Sequence, residues 1–331
     1  MNQELDPAKV AIARRRQLWI GIWGGVVAAV FYSLANALLR HSAYDVDPFL
    51  VSAMKAITTL LCFLPWFAID SAKRKHQSTS FRSLSMLFFA ALQVQLIGSV
   101  GLQIAFHELG VALVVPMYLG TMVMGSAVLG WFFLSERVDL RLIVALFLLV
   151  ASAFFLGQGA GQAHRAIHGD SLVEPSPWQS GVILGVVASA ITGVAYAVLG
   201  VAIRRAMKSP IHHLTPIIMV SAVGTLTLGP WAAMRLGGTG LSDVAWMHWM
   251  VMVAAGLCNA IGFLGLIYAL KRLPVLYVNA INVSQAAMAA ICGILFFHEA
   301  LTWWLFGGLL VMAVGFGVLT NRTMRRRSHL P

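Results

Sequence analysis

The sequence predicts an all-α polytopic membrane protein: ten transmembrane helices, arranged as two inverted five-helix repeats around a central cavity. Three observations lead there. Apolar segments long enough to cross a bilayer, about 20 residues each, follow one another from residue 18 to residue 320. Lysine and arginine collect in every second connection between them. The second half of the chain also repeats residues of the first at a nearly constant offset of 164.

Each span is marked by its flanks. The first, near 18–39, follows Arg14–Arg16 and opens at Trp19; it is longer than a signal-peptide core and no small-x-small cleavage site follows, so it is expected to remain in the mature protein. The second, 48–69, starts at Pro48 and ends between Trp66 and the basic run Lys73–Lys75. The third and fourth, 84–106 and 111–134, meet at His107-Glu108. The fifth, 141–157, is the shortest and follows Glu136-Arg137. Residues 178–203 run from Trp178 to Arg204-Arg205, and 213–235 from His212-His213 to Trp231 and Arg235. The last three, 244–270, 273–297 and 301–319, are bounded by Trp246, Lys271-Arg272, His298-Glu299, Trp303 and Arg322. Tryptophan at span ends is the usual interfacial anchor. The domain reading is therefore a basic N-terminus 1–17, a repeat 18–158, a linker 159–177 closing on Pro175-Ser-Pro177, a repeat 178–320 and a basic tail 321–331.

Of the 23 lysines and arginines, all but Arg40, Lys55, Arg165 and Arg235 fall on one side of this threading. Basic residues are retained on the cytoplasmic side during insertion, which places both termini in the cytoplasm and the protein in a plasma membrane, the bacterial inner membrane. The net charge of +11 is then spread over helix ends facing anionic headgroups. It does not form the one-faced, aromatic-interleaved surface of a nucleic-acid binder, so the lipid bilayer is the expected partner and nucleic acid is not. Cys62, Cys258 and Cys292 lack metal-ligand spacing and the 15 methionines form no metal motif, so no cofactor or metal is expected.

The repeat is carried by Gly21, Tyr32 and Arg40 against Gly185, Tyr196 and Arg204, and by Ile97, Gly98, Gly101, Leu102 and Ala105 against Ile261, Gly262, Gly265, Leu266 and Ala269. Phe133 and Glu136 match Phe296 and Glu299 at 163. A unit with an odd number of spans, repeated in tandem, enters the membrane in opposite senses, the symmetry of many secondary transporters. Enzymes and receptors have no need of it.

The chain resembles the drug/metabolite transporter superfamily, in particular its ten-span EamA-type members. The resemblance rests on the proline-started second span with its basic residue, Pro48 to Lys55, and on Gly130-Trp-Phe-Phe-Leu-Ser-Glu136, repeated as Gly293-Ile-Leu-Phe-Phe-His-Glu299. Two departures are Lys55, where arginine is commoner, and the lack of a basic residue near Val220. The resemblance implies a basket whose first four helices per half line a cavity, with the fifth and tenth outside, and export or exchange of a small metabolite, amino acid or drug.

Polar side chains inside spans tend to face a bundle interior or a wet cavity. Gln95, Ser99 and Gln103 recur at four-residue steps on one stripe of the third span. Tyr32 and Asn36 lie in the first, Tyr118 and Thr121 in the fourth, Tyr196 in the sixth, Asn259 in the eighth, and Asn279, Asn282 and Gln285 in the ninth. These residues, with Lys55, make up the expected substrate site. For Lys55 two readings stand: an anchor for a substrate anion, or a structural cation reaching helix carbonyls or headgroups. Glu136 and Glu299 are expected to sit at the starts of the fifth and tenth helices, where a carboxylate accepts backbone N–H groups. His107-Glu108 and His298-Glu299 form a candidate proton-sensitive outer gate.

The function expected is secondary transport of a small organic solute by a chain that works as a monomer without a protein partner. A lipid or lipid-linked-carrier translocase is the alternative. A membrane-embedded enzyme is disfavoured, because His164, His168 and His212-His213 have no converging partners at membrane depth.

Overall fold

The structure, a computed structural model, describes residues 7–73, 81–134, 140–159, 162, 180–209, 211–299 and 302–328. Glu136, and the part of the linker holding His164, Arg165, His168 and Trp178, lie outside the described residues. Ten helices cross the described structure: α1 Pro7–Ser42, α2 Pro48–Lys73, α3 Phe81–Leu109, α4 Val111–Leu134, α5 Leu140–Gln158, α6 Ser180–Ala206, α7 Thr215–Ser242, α8 Trp246–Arg272, α9 Val275–Phe297 and α10 Trp303–Ser328. Eight are apolar over a full bilayer thickness, while α5 and α10 hold shorter apolar stretches at Phe147–Leu156 and Trp303–Gly315. Each expected span has its helix. One helix is irregular at mid-depth, α3, which passes through a π-helical turn at Val94–Ser99; α9 shifts its hydrogen-bonding pattern at Val283 but keeps a right-handed helical backbone there.

The halves interlock. α1 runs along α8, and its counterpart α6 along α3; α4 lies on α6 and, correspondingly, α9 on α1; α2 meets α7, α4 meets α9 and α5 meets α10. Exchanging the halves leaves this set of contacts unchanged, as an inverted repeat requires. Small residues are what allow such close crossings in lipid, where no hydrophobic force drives helices together. At the α1–α8 crossing a Cβ on Gly24 would fall 2.8 Å from the Gly265 carbonyl oxygen, and one on Gly265 would fall 2.6 Å from that of Gly24. Gly262 lies under the Tyr32 ring, 3.1 Å from where its Cβ would be; at the related α3–α6 crossing Gly98 lies against Tyr196 at 3.8 Å. The residues that repeat in sequence are thus the residues where the two halves touch.

α5 and α10 stand apart from the other eight, joined to each other by a hydrogen bond from Ser152 Oγ to the Gly308 carbonyl at 2.8 Å. The outer surface is apolar, as a lipid-facing surface must be. Trp23 and Trp131 belong to it, being 62% and 50% exposed, and border no internal space. Trp19, Trp66, Trp231, Trp246 and Trp303 are exposed near helix ends. The face carrying the ends of α1 and α10 is called the terminal face below.

Candidate functional site

Where the first four helices of each half converge, they enclose a cavity of about 100 Å³. Its wall obeys the repeat. Tyr32, Ala35, Asn36 and Leu39 of α1 are answered at an offset of 164 by Tyr196, Leu199, Gly200 and Ile203 of α6. Gln95, Ser99 and Leu102 of α3 are answered by Asn259, Phe263 and Leu266 of α8. Lys55 and Ala56 of α2 oppose Val220 and Ser221 of α7 at 165, and Leu119 and Met122 of α4 oppose Asn282 and Gln285 of α9 at 163. The cavity therefore lies on the pseudo-two-fold axis.

The wall is not fully symmetric. Leu270 and Asn279 line it while their repeat counterparts Phe106 and Pro116 do not, although all four residues are buried.

Eleven of the thirteen residues expected at the site line this cavity: Tyr32, Asn36, Lys55, Gln95, Ser99, Tyr118, Tyr196, Asn259, Asn279, Asn282 and Gln285. Gln103 and Thr121 do not. Gln103 is 1% exposed, with neither amide atom hydrogen-bonded among the described residues. Thr121 donates to the Met117 and Tyr118 carbonyls and sits at the tight α4–α6 crossing against Gly193.

Lys55 does not reach headgroups. It is 5% exposed, and its Nζ donates to Ser99 Oγ at 3.0 Å. Ser99 in turn donates to Gln95 Oε1 at 2.9 Å, and Gln95 Nε2 donates to the Val220 carbonyl at 2.9 Å. The π-helical turn of α3 carries both Gln95 and Ser99, a placement that regular four-residue spacing did not reveal. Opposite, Asn36 Nδ2 donates to Tyr118 Oη at 3.2 Å and Tyr118 Oη to Gln285 Oε1 at 3.4 Å, while the Tyr118 and Tyr196 rings lie 6.0 Å apart. Asn279 Nδ2 is bound to Ser126 Oγ at 3.0 Å and Asn259 Nδ2 to Thr59 Oγ1 at 3.1 Å.

The side away from the terminal face is closed by a group in which sequence reasoning saw Glu299 but missed its partner. Glu299 does not cap α10, as expected; Thr302 Oγ1 does that, accepting the Leu305 N–H at 3.0 Å. His298 takes a left-handed backbone (φ 52°), so that the Glu299 N–H returns to the Gly293 carbonyl at 3.0 Å. The carboxylate is thereby turned inward onto the start of α4, accepting the N–H of Val111 at 2.9 Å and of Ala112 at 2.8 Å. Arg40 Nε completes it at 3.0 Å. Gly110 (φ 74°) and Gly293 leave the room it occupies: a Cβ on either would fall 2.3 Å or 2.5 Å from a Glu299 oxygen. Arg40 also bonds the Tyr44 hydroxyl and lies under its ring, 4.0 Å from the centroid. Burial pushes the Tyr44 phenol up to about 12, against the lowering pull of Arg40, so it stays neutral. His107 Nδ1 contacts Glu108 Oε1 at 3.1 Å and its ring lies 5.4 Å from that of Tyr44. His298 is exposed and apart from them. Of the candidate gate, Glu299 is its centre and His107-Glu108 its rim.

At the terminal face Asp70, at the end of α2, meets His212 at the approach to α7, with 2.5 Å between Oδ2 and Nε2. With His213 these are metal-type side chains within 4.8 Å of one another. However, His212 Nδ1 accepts the Leu214 N–H at 3.1 Å, which leaves the ring proton on Nε2, donating to Asp70. This is a latch between two helices, not a ligand set.

A helical bundle duplicated in inverted order around a central cavity is a construction found among membrane transporters. The chain belongs to the EamA-like transporter family, part of the drug/metabolite transporter superfamily: the family matches over residues 19–158 and again over 179–321. A solved structure titled "Crystal structure of protein" is similar in fold, with a TM-score of 0.62 at 19% identity over 96% of this chain and 99% of that one. No curated protein matches the sequence.

Proposed function

We propose that this multi-pass membrane protein is a secondary transporter that moves a small organic solute, as exporter or exchanger, by alternating access. The solute site is the cavity wall bearing Tyr32, Asn36, Lys55, Tyr118, Tyr196, Asn282 and Gln285. The carrying observation is the symmetry of that wall, which is built from paired positions of both halves, Tyr32 with Tyr196 and Gln95 with Asn259 among them. Two equivalent halves can exchange conformations, which opens a site on their shared axis to either side in turn. The distribution of basic residues supports a bacterial inner membrane with both termini cytoplasmic. In this reading the carrier acts as a monomer, and the buried Arg40–Glu299 pair helps to close the side away from the termini. Purified protein in liposomes loaded with an isotope-labelled metabolite mixture should give saturable efflux accelerated by the same solutes outside. Flux that rises linearly with concentration, or none above protein-free vesicles, overturns the reading.

A further inference from the structure

Resting on the transport reading, we infer that the transported solute is an organic anion, held by its carboxylate or phosphate at Lys55.

An ammonium group has three N–H donors, and Lys55 spends one of them on Ser99. No other partner for it is found among the described residues. The direction of the neighbouring bonds makes this arrangement firm. Ser99 gives its own hydrogen to Gln95, and Gln95 gives its amide hydrogen to the Val220 carbonyl. Ser99 is therefore committed as an acceptor toward Lys55, and the chain ends on a backbone atom, so it cannot reverse. The remaining Lys55 donors border the cavity with no polar side chain assigned to them.

The second observation concerns charge. Among the described residues the cavity wall contains no aspartate or glutamate, and all 12 acidic residues of the chain lie in termini, loops or span ends. A buried cation without a counter-ion is costly at membrane depth and normally finds a partner. Here the position for the partner is open space. A solute that supplies one negative charge neutralises Lys55 only while bound, which is the condition a carrier needs: strong enough to select, absent from the empty state. The repeat sharpens the point, since the counterpart of Lys55 is Val220. The site has one anion-binding pole, not two.

Tyr32, Tyr118 and Tyr196 also line the cavity and offer aromatic surface to the organic body of the solute.

The test uses the full chain in liposomes loaded with a uniformly 13C-labelled whole-cell metabolite extract, and reads the exchanged species by mass spectrometry for wild type, Lys55→Met and Lys55→Arg. The exchanged species should be carboxylates or phosphate esters, resolved from each other by mass. Lys55→Met should lower their kcat/KM about tenfold or more, the worth of a charged hydrogen bond, and Lys55→Arg should restore much of it. If the exchanged species are only neutral or cationic, or if Lys55→Met leaves anion KM within about twofold while eluting as a monodisperse protein, the anion assignment falls and transport stands. If no species exchanges with any variant, the transport reading falls with it.

Discussion

Arg40 and Glu299 meet at 3.0 Å across the boundary between the two halves, with side chains 3% and 6% exposed. Neither residue is near the other in sequence, and the carboxylate serves two masters: the guanidinium of α1 and the first N–H groups of α4. The positive end of α4 and the arginine both favour the anion. The three elements are pinned to one another only as long as the face away from the termini is closed.

Glu299→Gln removes the charge but keeps the shape. Arg40 is then left buried beside a neutral amide, and breaking a buried pair from one side costs about 3–5 kcal/mol. The variant should be less stable in detergent unfolding and should label more readily at Phe106→Cys with a membrane-impermeant maleimide, in a background with Cys62, Cys258 and Cys292 replaced by alanine. Combining it with Arg40→Met should recover part of the lost stability, since no charge is then stranded. Equal unfolding midpoints for wild type and Glu299→Gln would show that the pair holds nothing.

Gly110→Ala attacks the same contact through the backbone. The position has φ 74°, and the added methyl would lie 2.3 Å from Glu299 Oε1. A left-handed alanine costs about 1–3 kcal/mol in strain, and the carboxylate must leave the α4 start as well. Gly110→Ala should therefore cost more than Gly293→Ala, where the conformation is helical and only the contact with Glu299 and Ala112 is disturbed. A comparison of the two unfolding midpoints checks the order.

Gln103→Leu should have the opposite sign. The amide of Gln103 is buried with no partner among the described residues, and replacing an unpaired buried polar group by an apolar one recovers about 1–3 kcal/mol. Gln103 lies one turn beyond Ser99 on the cavity stripe, toward the closed face. If the opposite state opens that face, the amide is hydrated there, and Gln103→Leu should stabilise the protein while slowing exchange. Higher stability with unchanged turnover would mean that the residue never meets water.

Much of this arrangement is legible in the sequence, for physical reasons. Lipid admits few alternatives to apolar helices, so the spans follow from length and charge. Tyr32 and Tyr196, or Gly98 and Gly262, are recognisable because one contact is made twice, each half supplying the tyrosine for the other's glycine. What escapes is direction and depth. Glu299 is adjacent in sequence to α10 but turned toward α4 by the left-handed His298. Thr121 shares a helix with Tyr118 yet faces the α6 contact, because spacing of three residues drifts around a helix that touches neighbours on most sides. The π-helical turn of α3, which carries Gln95 and Ser99, has no signature in apolar periodicity.

The α2–α7 pair leads to the last prediction. At one end Asp47 meets Arg235 at 3.3 Å, and Phe49 stacks on Trp231; at the other Asp70 meets His212 at 2.5 Å, beside Trp66 and His213. An offset of 165 carries Asp47 onto His212, Asp70 onto Arg235, Pro65 onto Pro230 and Trp66 onto Trp231, so the repeat exchanges one latch with the other. Each joins an acid of the first half to a base of the second, one per face. They differ in strength. Arg235 is 55% exposed, and an exposed pair is worth about 0–1 kcal/mol; His212 is 9% exposed and held by the Leu214 N–H. Asp70→Asn should therefore loosen the terminal face more than Asp47→Asn loosens the other. Maleimide labelling of Leu270→Cys, on the terminal side of the cavity, should accelerate in the Asp70→Asn background, while Asp47→Asn should change labelling of Phe106→Cys by less than about fivefold. Equal effects of the two substitutions, or faster labelling of Phe106→Cys by Asp70→Asn, would mean that the latches do not hold their own faces.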